Sequence, residues 1–148
     1  MAECKNIMVY VETAEGNPVK VGLEMLSPAK KLADKVTAVV IGGGVADAAK
    51  EVAKAGADQV ICVDSEDYKE FNLDAYAQVL VELVKEENPE AVFVGGTQDG
   101  KDIAPVVAAK CNTGCASDVL DIKAEDGEVI YTCPLYGGTV LEDVKIKT

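Results

Sequence analysis

The sequence predicts an α/β fold in which helices cover both faces of a parallel sheet. Short apolar runs rich in β-branched residues have the composition of strands that are buried on both sides. Between these runs the apolar residues recur with a period of about 3.6 residues, which is typical of helices. Strands and helices that alternate in this way form a parallel sheet through right-handed crossovers, so this pattern alone determines the predicted fold class.

The predicted strands of the parallel sheet are residues 7–11, 36–41, 59–63 and 91–94. The predicted helices are residues 24–34, 45–55, 73–87 and 99–110. Gly56 ends the second helix, because glycine readily takes the left-handed conformation common at helix carboxyl termini. Asn88 and Pro89 end the third helix, since proline cannot donate the next helical hydrogen bond. The expected architecture is a Rossmann-like sheet flanked by helices.

In the last part of the chain, extended segments follow one another without helical patterns between them. Its extended segments are residues 117–123, 128–132 and 139–146. The first two flank Glu125-Asp126-Gly127, and an Asp-Gly pair favours a tight hairpin turn. We therefore expect an antiparallel strand extension at the carboxyl-terminal end. No linker rich in proline, glycine or serine divides the chain, so residues 1–148 are predicted to form one domain.

The charge and composition of the chain exclude several classes of function. Its 148 residues include 14 Lys and Arg against 26 Asp and Glu, which gives a formal net charge of −12. Such a surface repels nucleic acid and anionic lipid. The sequence contains no histidine, the most common general base, so hydrolytic triads are not expected. No apolar stretch reaches the roughly 18 residues of a membrane helix, and no signal-peptide core precedes the first strand, so the expected location is the cytoplasm.

The cysteines of the chain are Cys4, Cys62, Cys111, Cys115 and Cys133, and they form no CxxC pair. Cys62 lies within the third apolar run, where a thiol is expected to behave as a small core residue. Cys111 and Cys115 are one helical turn apart, but two thiolates without further ligands make an incomplete metal site. Reduced, structural cysteines and no metal site are therefore predicted.

A first glycine-rich segment, Gly42-Gly43-Gly44, follows the second strand and opens a helix. Backbone N–H groups at such a position can bind a phosphate. The segment lacks the third glycine of a dinucleotide-binding fingerprint, because Asp47 stands in that place. A tight turn from strand to helix is the simpler interpretation.

A second glycine-rich segment, Gly95-Gly96-Thr97-Gln98-Asp99-Gly100-Lys101-Asp102, comes within one residue of a P-loop. Asp102 replaces the hydroxyl that would bind Mg²⁺ and adds negative charge near the phosphates. The preferred interpretation is a loop at the carboxyl edge of the sheet, where α/β proteins bind ligands or partners.

An aromatic corner lies at residues 131–138, with Pro134, Tyr136 and two glycines. Two interpretations stay open for it. Either the corner lines an interface with another polypeptide, or the Tyr136 ring covers the hairpin.

Several segments together carry a resemblance to a known family. They are, in chain order, residues 7–12, 23–33, 36–42, 56–60, 95–105, 116–119 and 134–139. The fifth segment fits the pattern G-x-T-x-x-G-[RK]-D-[LI]-A-P, and the last fits P-x-Y-G-G-N-A except that Thr139-Val140 replaces the final pair. Taken in this order, the segments resemble the amino-terminal part of the electron transfer flavoprotein α subunit.

The resemblance implies a scaffold domain of an electron carrier, with no catalytic residue of its own. Family α subunits continue into a carboxyl-terminal domain that holds FAD, and we expect this chain to lack it. The implied partners are the β subunit, the FAD domain and the dehydrogenases of the full complex. FAD is expected in the intact heterodimer and not on this chain. The residues implied to lie near a partner or a flavin are Thr97, Gln98, Asp99, Gly100, Lys101, Asp102, Tyr136, Gly137 and Gly138.

The alternative function is that of a free-standing nucleotide-binding domain of the universal-stress type. Such proteins have a similar sheet, but they use a late G-x-x-G loop with a distant G-[ST]. The sequence offers no matching pair of segments at that place. Micromolar binding of ATP or AMP would favour this alternative.

Overall fold

The computed structural model of the protein describes residues 4–147. The part of the chain up to Lys110 contains, in order, β1 (Cys4–Tyr10), β2 (Thr13–Ala14), β3 (Asn17–Pro18), α1 (Lys20–Leu32), β4 (Ala33–Gly42), α2 (Ala46–Lys54), β5 (Gln59–Asp64), α3 (Leu73–Glu87), β6 (Ala91–Val94) and α4 (Gln98–Lys110). Strands β5, β4, β1 and β6 lie side by side in that order and are parallel throughout. The predicted parallel sheet is therefore confirmed.

Helices cover both faces of this sheet, as the alternation predicts. Leu26 of α1 and Val9 of β1 lie in one buried cluster, to which α2 also contributes. Leu80 of α3 and Met8 of β1 lie in a second cluster, to which α4 also contributes. Met8 and Val9 are neighbours whose side chains point to opposite faces, because side chains alternate along a strand. None of the helices within residues 4–147 is long and apolar enough to cross a membrane.

The junction between α1 and β4 differs from the prediction. Helix α1 starts at Lys20 rather than at residue 24, and Asp34 belongs to β4 rather than to the helix. Ala33 already pairs with Cys4 in the parallel ladder. A residue cannot hold extended pairing and helical geometry at once, so strand pairing ends the helix earlier than the apolar periodicity suggests.

A small hairpin between β1 and α1 was not predicted. Thr13 pairs with Pro18 across a turn formed by Glu15 and Gly16. Both turn residues have positive φ, 51° and 79°, as in the tight turns that fit the twist of a hairpin. Gly16 and the Asn17-Pro18 pair that follows it are turn signals in the sequence, but glutamate rarely adopts positive φ, so Glu15 does not predict this turn geometry.

The last part of the chain forms a separate antiparallel sheet. Its strands are β7 (Asp121–Glu125), β8 (Glu128–Leu135) and β9 (Val140–Lys145). Asp126 and Gly127 form the turn between β7 and β8 with φ of 53° and 77°, as the Asp-Gly pair predicts. The predicted antiparallel extension is confirmed.

The first antiparallel strand is shorter than predicted. It starts at Asp121 rather than at residue 117. Asp118 has φ of 52°, a left-handed conformation that a regular strand does not contain. Ile122 and Tyr131 pack against the buried cluster on the α1 side of the parallel sheet. The antiparallel sheet is therefore fixed to the body of the molecule through that face.

Candidate functional site

Loops at the carboxyl ends of the parallel strands enclose a cleft of about 440 Å³. Parallel strands all end at one edge of a sheet, so the residues that follow β1 and β4 meet there with the start of α4. We call this space the carboxyl-edge cleft. The lining residues that matter for its chemistry are Tyr10, Glu12, Gly44, Lys69, Phe71 and Asp99.

Thr97 joins the start of α4 to the end of β1. Its hydroxyl donates to Glu12 Oε1 at 2.6 Å and accepts from the N–H of Gly100 at 3.0 Å. The second bond is a helix N-cap, and α4 begins at the next residue. In a P-loop the backbone N–H groups remain open to phosphate, whereas Thr97 takes one of them here. The P-loop-like match is therefore an ordinary capped helix start.

Gly100 has a packing role in this segment. A methyl group in its place would overlap the carbonyl oxygen of Gly95 and approach the Glu12 carboxylate. The glycine that completes the P-loop-like pattern is thus required for the close approach of α4 to the end of β6.

A side chain of the protein holds the Gly42-Gly43-Gly44 loop in place. The N–H of Gly44 donates to Asp64 Oδ1 at 2.7 Å, which ties the loop after β4 to the end of β5. Gly44 has φ of 71°, a conformation that glycine takes without strain. A carboxylate of the protein therefore occupies the position near the start of α2 where a phosphate would bind. This geometry favours the interpretation as a tight turn.

Carboxylates dominate the charge of the carboxyl-edge cleft. Its lining includes the carboxylates of Glu12, Glu15 and Asp99. Lys69 is the one basic residue among the lining residues that the structure describes. Burial raises the pKa of Glu12 and the charge of Asp99 raises it further, while the hydrogen bond from Thr97 acts in the opposite direction. These carboxylates would repel the negative charges of a pyrophosphate, so the residues of this cleft do not fit the pyrophosphate of FAD.

Exposed large hydrophobic side chains of residues 4–147 are concentrated in the antiparallel sheet and its connections. We call them the apolar patch, and they are Leu120, Leu135, Tyr136, Val140 and Leu141. The register of β8 and β9 places Leu135 opposite Val140. Tyr136 is 82% exposed, which contradicts the interpretation that its ring covers the hairpin.

The corner that presents Tyr136 is a run of left-handed residues. Tyr136, Gly137 and Gly138 have φ of 51°, 66° and 91°. Glycine takes such angles without strain, which explains the two glycines in the motif. The hydroxyl of Thr139 donates to the Tyr136 carbonyl at 2.9 Å and closes the corner.

The residues predicted as contacts lie in two separate places. Lys101 forms an ion pair of 3.7 Å with Asp118, and both line a second cleft of about 250 Å³ beside the start of α4. Gln98 and Asp102 are exposed on the first turn of that helix. No hydrogen bond or ion pair of the described residues joins positions 97–102 to positions 136–138.

The family described as "Electron transfer flavoprotein domain" matches residues 7–148. This chain belongs to the electron transfer flavoprotein family. It is 36% identical to "Protein FixB" of Clostridium saccharobutylicum, over 97% of this chain and 45% of that protein. It is also 36% identical to "Electron transfer flavoprotein subunit alpha" of Clostridium acetobutylicum, over 97% of this chain and 44% of that protein. "Acryloyl-CoA reductase electron transfer subunit beta" of Anaerotignum propionicum is 38% identical, over 95% of this chain and 46% of that protein.

These comparisons confirm the family that the ordered sequence segments indicated. The chain spans less than half the length of the relatives named above. None of the three names a universal-stress protein, so they give no support to the nucleotide-binding alternative.

Sequence reasoning missed part of the carboxyl-edge cleft of this electron transfer flavoprotein chain. Glu12 enters the prediction only as the last residue of the first segment of the family resemblance, and Tyr10 was not singled out. Their position was the available signal, because ligands of α/β proteins bind where the strands end. Lys69 and Phe71 reach the cleft through the irregular segment after β5, and no pattern in the sequence marks them.

The prediction for Cys62 was wrong. Its side chain is exposed rather than part of the core. Strand β5 forms one edge of the parallel sheet, and an edge strand is covered less completely than the central strands. Cys111 is half-buried and Cys115 is exposed. Within residues 4–147, no group of three or more His, Cys, Asp or Glu side chains is arranged to hold a metal ion.

Proposed function

We propose that this chain forms the amino-terminal domain of an electron transfer flavoprotein α subunit and serves as a docking platform for the β subunit. The match to the family and the name of an α-subunit relative support this proposal. The relatives are more than twice as long as the matched part. We therefore also propose that a carboxyl-terminal domain, on the same or a separate chain, completes the subunit and holds FAD.

The observation that carries the docking proposal is the apolar patch. Large exposed patches of this kind mark surfaces for protein partners. Tyrosine is enriched among the residues that contribute most to interface affinity, and Tyr136 projects with 82% of its surface exposed. The antiparallel sheet therefore presents an exposed aromatic ring at the corner between β8 and β9, with exposed aliphatic side chains on both strands beside it.

The strand beneath the apolar patch is held in place by buried side chains. Ile130 and Cys133 of β8 are buried, and Tyr131 packs against the core of the parallel sheet. A surface that is already ordered loses less conformational entropy on binding than a flexible one. This ordered strand supports a platform that binds its partner without rearrangement.

The first turn of α4 is proposed as a second contact. Lys101 and Asp102 are exposed there with opposite charges, and charged groups at the rim of an interface mainly set its orientation and its rate of association. The ion pair between Lys101 and Asp118 links this turn to the segment that leads into the antiparallel sheet. One partner surface could in this way engage both regions.

The chemistry of the proposed complex belongs to its flavins. When bound, FAD supplies the redox chemistry, and the protein supplies binding, orientation and electrostatics. We propose that this chain contributes geometry and no catalytic residue. A relative named as an electron transfer subunit of acryloyl-CoA reductase supports a redox enzyme as the further partner of the complex.

Co-expression tests the docking proposal. The chain is produced with a β subunit and a carboxyl-terminal FAD domain from the same source, and the complex is isolated through a tag on the chain. We expect a yellow complex with a flavin absorbance band and one copy of each polypeptide. A chain that elutes alone and colourless under these conditions contradicts the proposal.

A variant pair locates the docking surface. Tyr136→Ser with Leu141→Ser removes the aromatic ring and one aliphatic side chain of the patch, and Tyr136→Phe is the matched control that keeps the ring. We expect the double variant to bind the β subunit at least about tenfold more weakly, as for residues at the centre of an interface. The control should bind like the parent chain, and equal affinity for all three would place the interface elsewhere.

A further inference from the structure

Tyr10 has a buried ring and a hydroxyl without a partner in the described part of the chain. Only 2% of the residue is exposed. Fully enclosed side-chain oxygen and nitrogen atoms in residues 4–147 all have hydrogen-bond partners, whereas the Tyr10 hydroxyl bonds to no described group. This hydroxyl therefore reaches the carboxyl-edge cleft, which Tyr10 lines. Buried phenols usually have a partner, so its hydroxyl is available to a ligand in the cleft.

The charges around this hydroxyl are negative. Burial raises the pKa of Tyr10, and the carboxylates of Glu12 and Asp99 raise it further because they oppose a phenolate. Lys69 is the one basic side chain among the described lining, and its ammonium group pairs weakly with Glu66 at 4.0 Å. Negative charge exceeds positive charge in the cleft, and it therefore attracts cations.

Anions have no comparable place in the cleft. One backbone donor of the lining, the N–H of Gly44, already donates to the Asp64 carboxylate at 2.7 Å. A phosphate would have to displace this carboxylate and would then face the remaining negative groups. The cleft thus discriminates against nucleotides by their charge.

Aromatic rings form the apolar part of the cleft. Phe71 and Tyr76 line it and meet edge to face, with ring centroids 5.0 Å apart and an angle of 74° between the rings. The Tyr76 hydroxyl donates to the Tyr68 carbonyl, which fixes its ring. Aromatic rings attract organic cations and also pack against alkyl chains.

We propose that the carboxyl-edge cleft binds a small organic cation, an alkylguanidinium or alkylammonium ion. Its N–H groups donate to the Tyr10 hydroxyl and to the carboxylates of Glu12 and Asp99. Its alkyl part packs against the Phe71 and Tyr76 rings. The volume of about 440 Å³ lies within the range of about 300–1,000 Å³ that is typical of small-molecule sites. This binding goes beyond docking, because the apolar patch lies on the other sheet.

Titration with agmatine tests the proposal, because this molecule carries a guanidinium and an ammonium group on a butyl chain. Calorimetry on the chain at low salt should show saturable binding of one agmatine, weakened by added NaCl through screening. Amide NMR signals of Gly44 and Asp99 should shift during the titration. Pentane-1,5-diol, a neutral molecule of similar length, and AMP, an anion, should each bind at least about tenfold more weakly than agmatine, since they lack the charge attraction.

Variants connect the binding to the proposed contacts. Tyr10→Phe removes only the hydroxyl and should weaken agmatine binding about tenfold or more, the usual value of a hydrogen bond to a charged group. Glu12→Gln removes a charge at constant shape and should weaken it about tenfold or more. Glu86→Gln is the matched control, because Glu86 is exposed near the end of α3 and should leave binding unchanged. Circular dichroism verifies that each variant is folded.

Three results would overturn the proposal. The first is agmatine binding no tighter than pentane-1,5-diol, and the second is tighter binding of AMP than of agmatine. The third is equal loss, or no loss, in all three variants. A peptide arm, acetyl-Gly-Arg-Gly-amide, distinguishes a free cation from the side chain of a partner polypeptide. Tighter binding of this peptide than of agmatine would overturn the assignment to a small molecule.

Discussion

The two sheets of the molecule bury their side chains in opposite ways. Strand β4 of the parallel sheet is buried along nearly its whole length, because helices cover both of its faces. Strand β9 of the antiparallel sheet is almost entirely exposed. The parallel sheet is therefore covered by helices of this chain, whereas the antiparallel sheet leaves apolar side chains exposed, which fits the docking surface proposed above.

This difference in burial indicates that the two sheets contribute to different properties, the parallel sheet to the stability of the fold and the antiparallel sheet to binding. Apolar area buried inside the chain contributes directly to the free energy of unfolding. Apolar area that stays exposed contributes little to folding but is available for association. We therefore expect substitutions in the parallel sheet to act on stability, and substitutions in the apolar patch to act on binding.

The largest expected effect comes from shortening a side chain between the parallel sheet and its helices. Leu80 of α3 is completely buried, so Leu80→Ala removes packed methyl groups and leaves a cavity. We expect the free energy of unfolding to fall by about 2–5 kcal/mol, the usual range for such substitutions. Urea unfolding followed by circular dichroism measures this change.

Leu141→Ala is the matched substitution in the antiparallel sheet. Leu141 is 59% exposed, so we expect the free energy of unfolding to change by no more than about 0.5 kcal/mol. If Leu80→Ala and Leu141→Ala lower the free energy of unfolding equally, the apolar patch contributes to folding as much as the parallel sheet does. The proposed separation between a stabilising sheet and a binding surface would then be wrong.

A second comparison uses two glycines on either side of Thr97. Gly100→Ala introduces a methyl group that overlaps the Gly95 carbonyl oxygen, whereas the same change at Gly96 meets no atom within 4 Å. We expect Gly100→Ala to lower the free energy of unfolding by about 1–3 kcal/mol, because the backbone has to shift to make room. Gly96→Ala should be close to neutral. Thermal unfolding of the two variants side by side decides the matter, and a neutral Gly100→Ala would show that α4 can move freely against β6.

A third prediction concerns the join between β4 and β5. Asp58 Oδ2 accepts from the N–H of Val36 at 2.8 Å, and Oδ1 accepts from Lys30 at 2.6 Å. Asp58→Ala should lower the free energy of unfolding by about 1–2 kcal/mol, mostly through the unpaired N–H of Val36. The ion pair adds little because both of its side chains are partly exposed.

The pH dependence of this effect has a definite sign. The hydrogen bond from Lys30 and that from Val36 lower the pKa of Asp58 below its usual value. The contribution of its carboxylate is therefore present above the pKa of the unfolded chain and is lost as the pH falls through the lowered pKa. The stability difference between parent and Asp58→Ala, measured by urea unfolding, should shrink under strongly acidic conditions. A difference that stays constant would mean that the carboxylate charge has no part in the bond.

The parallel sheet could be predicted from the sequence because its signals are local. The apolar runs of β1 and β4 and the helical periodicity of α3 all lie within single segments, and burial on both faces leaves little choice of side chain. The boundary of α1 was predicted less well, because pairing of Ala33 with Cys4 ends the helix and this contact is distant in sequence. Local periodicity cannot report a distant partner.

The carboxyl-edge cleft was predicted less completely for the same reason. Thr97 and Glu12 are 85 positions apart and form a hydrogen bond of 2.6 Å. Lys69 and Phe71 enter the cleft through an irregular segment whose path depends on tertiary packing. The glycine-rich segments were visible in the sequence, but their role as turns and close approaches depends on bonds such as Gly44 to Asp64.

The smallest expected effect tests the balance of forces at Glu12. Burial raises the pKa of Glu12, even though the hydrogen bond from Thr97 lowers it. When the pKa is higher in the folded chain, the protonated form is the one that folding favours. The stabilisation by this group is fully present below the pKa of the unfolded chain and is lost as the pH rises through the raised pKa. At neutral pH the ionised carboxylate therefore lowers the stability of the fold.

Glu12→Gln should raise the thermal midpoint slightly at neutral pH, because it removes the buried charge and keeps an oxygen that accepts from Thr97. This gain should disappear as the pH falls through the raised pKa of Glu12. Comparing parent and variant at each pH cancels the titration of the other carboxylates, which is essential in a chain with a net charge of −12. A variant that is less stable at neutral pH would show that the charged hydrogen bond to Thr97 outweighs the cost of burial. The ionised Glu12 carboxylate would then stabilise the folded chain. It would not be a charge that lowers the stability of the fold until a cation binds to it.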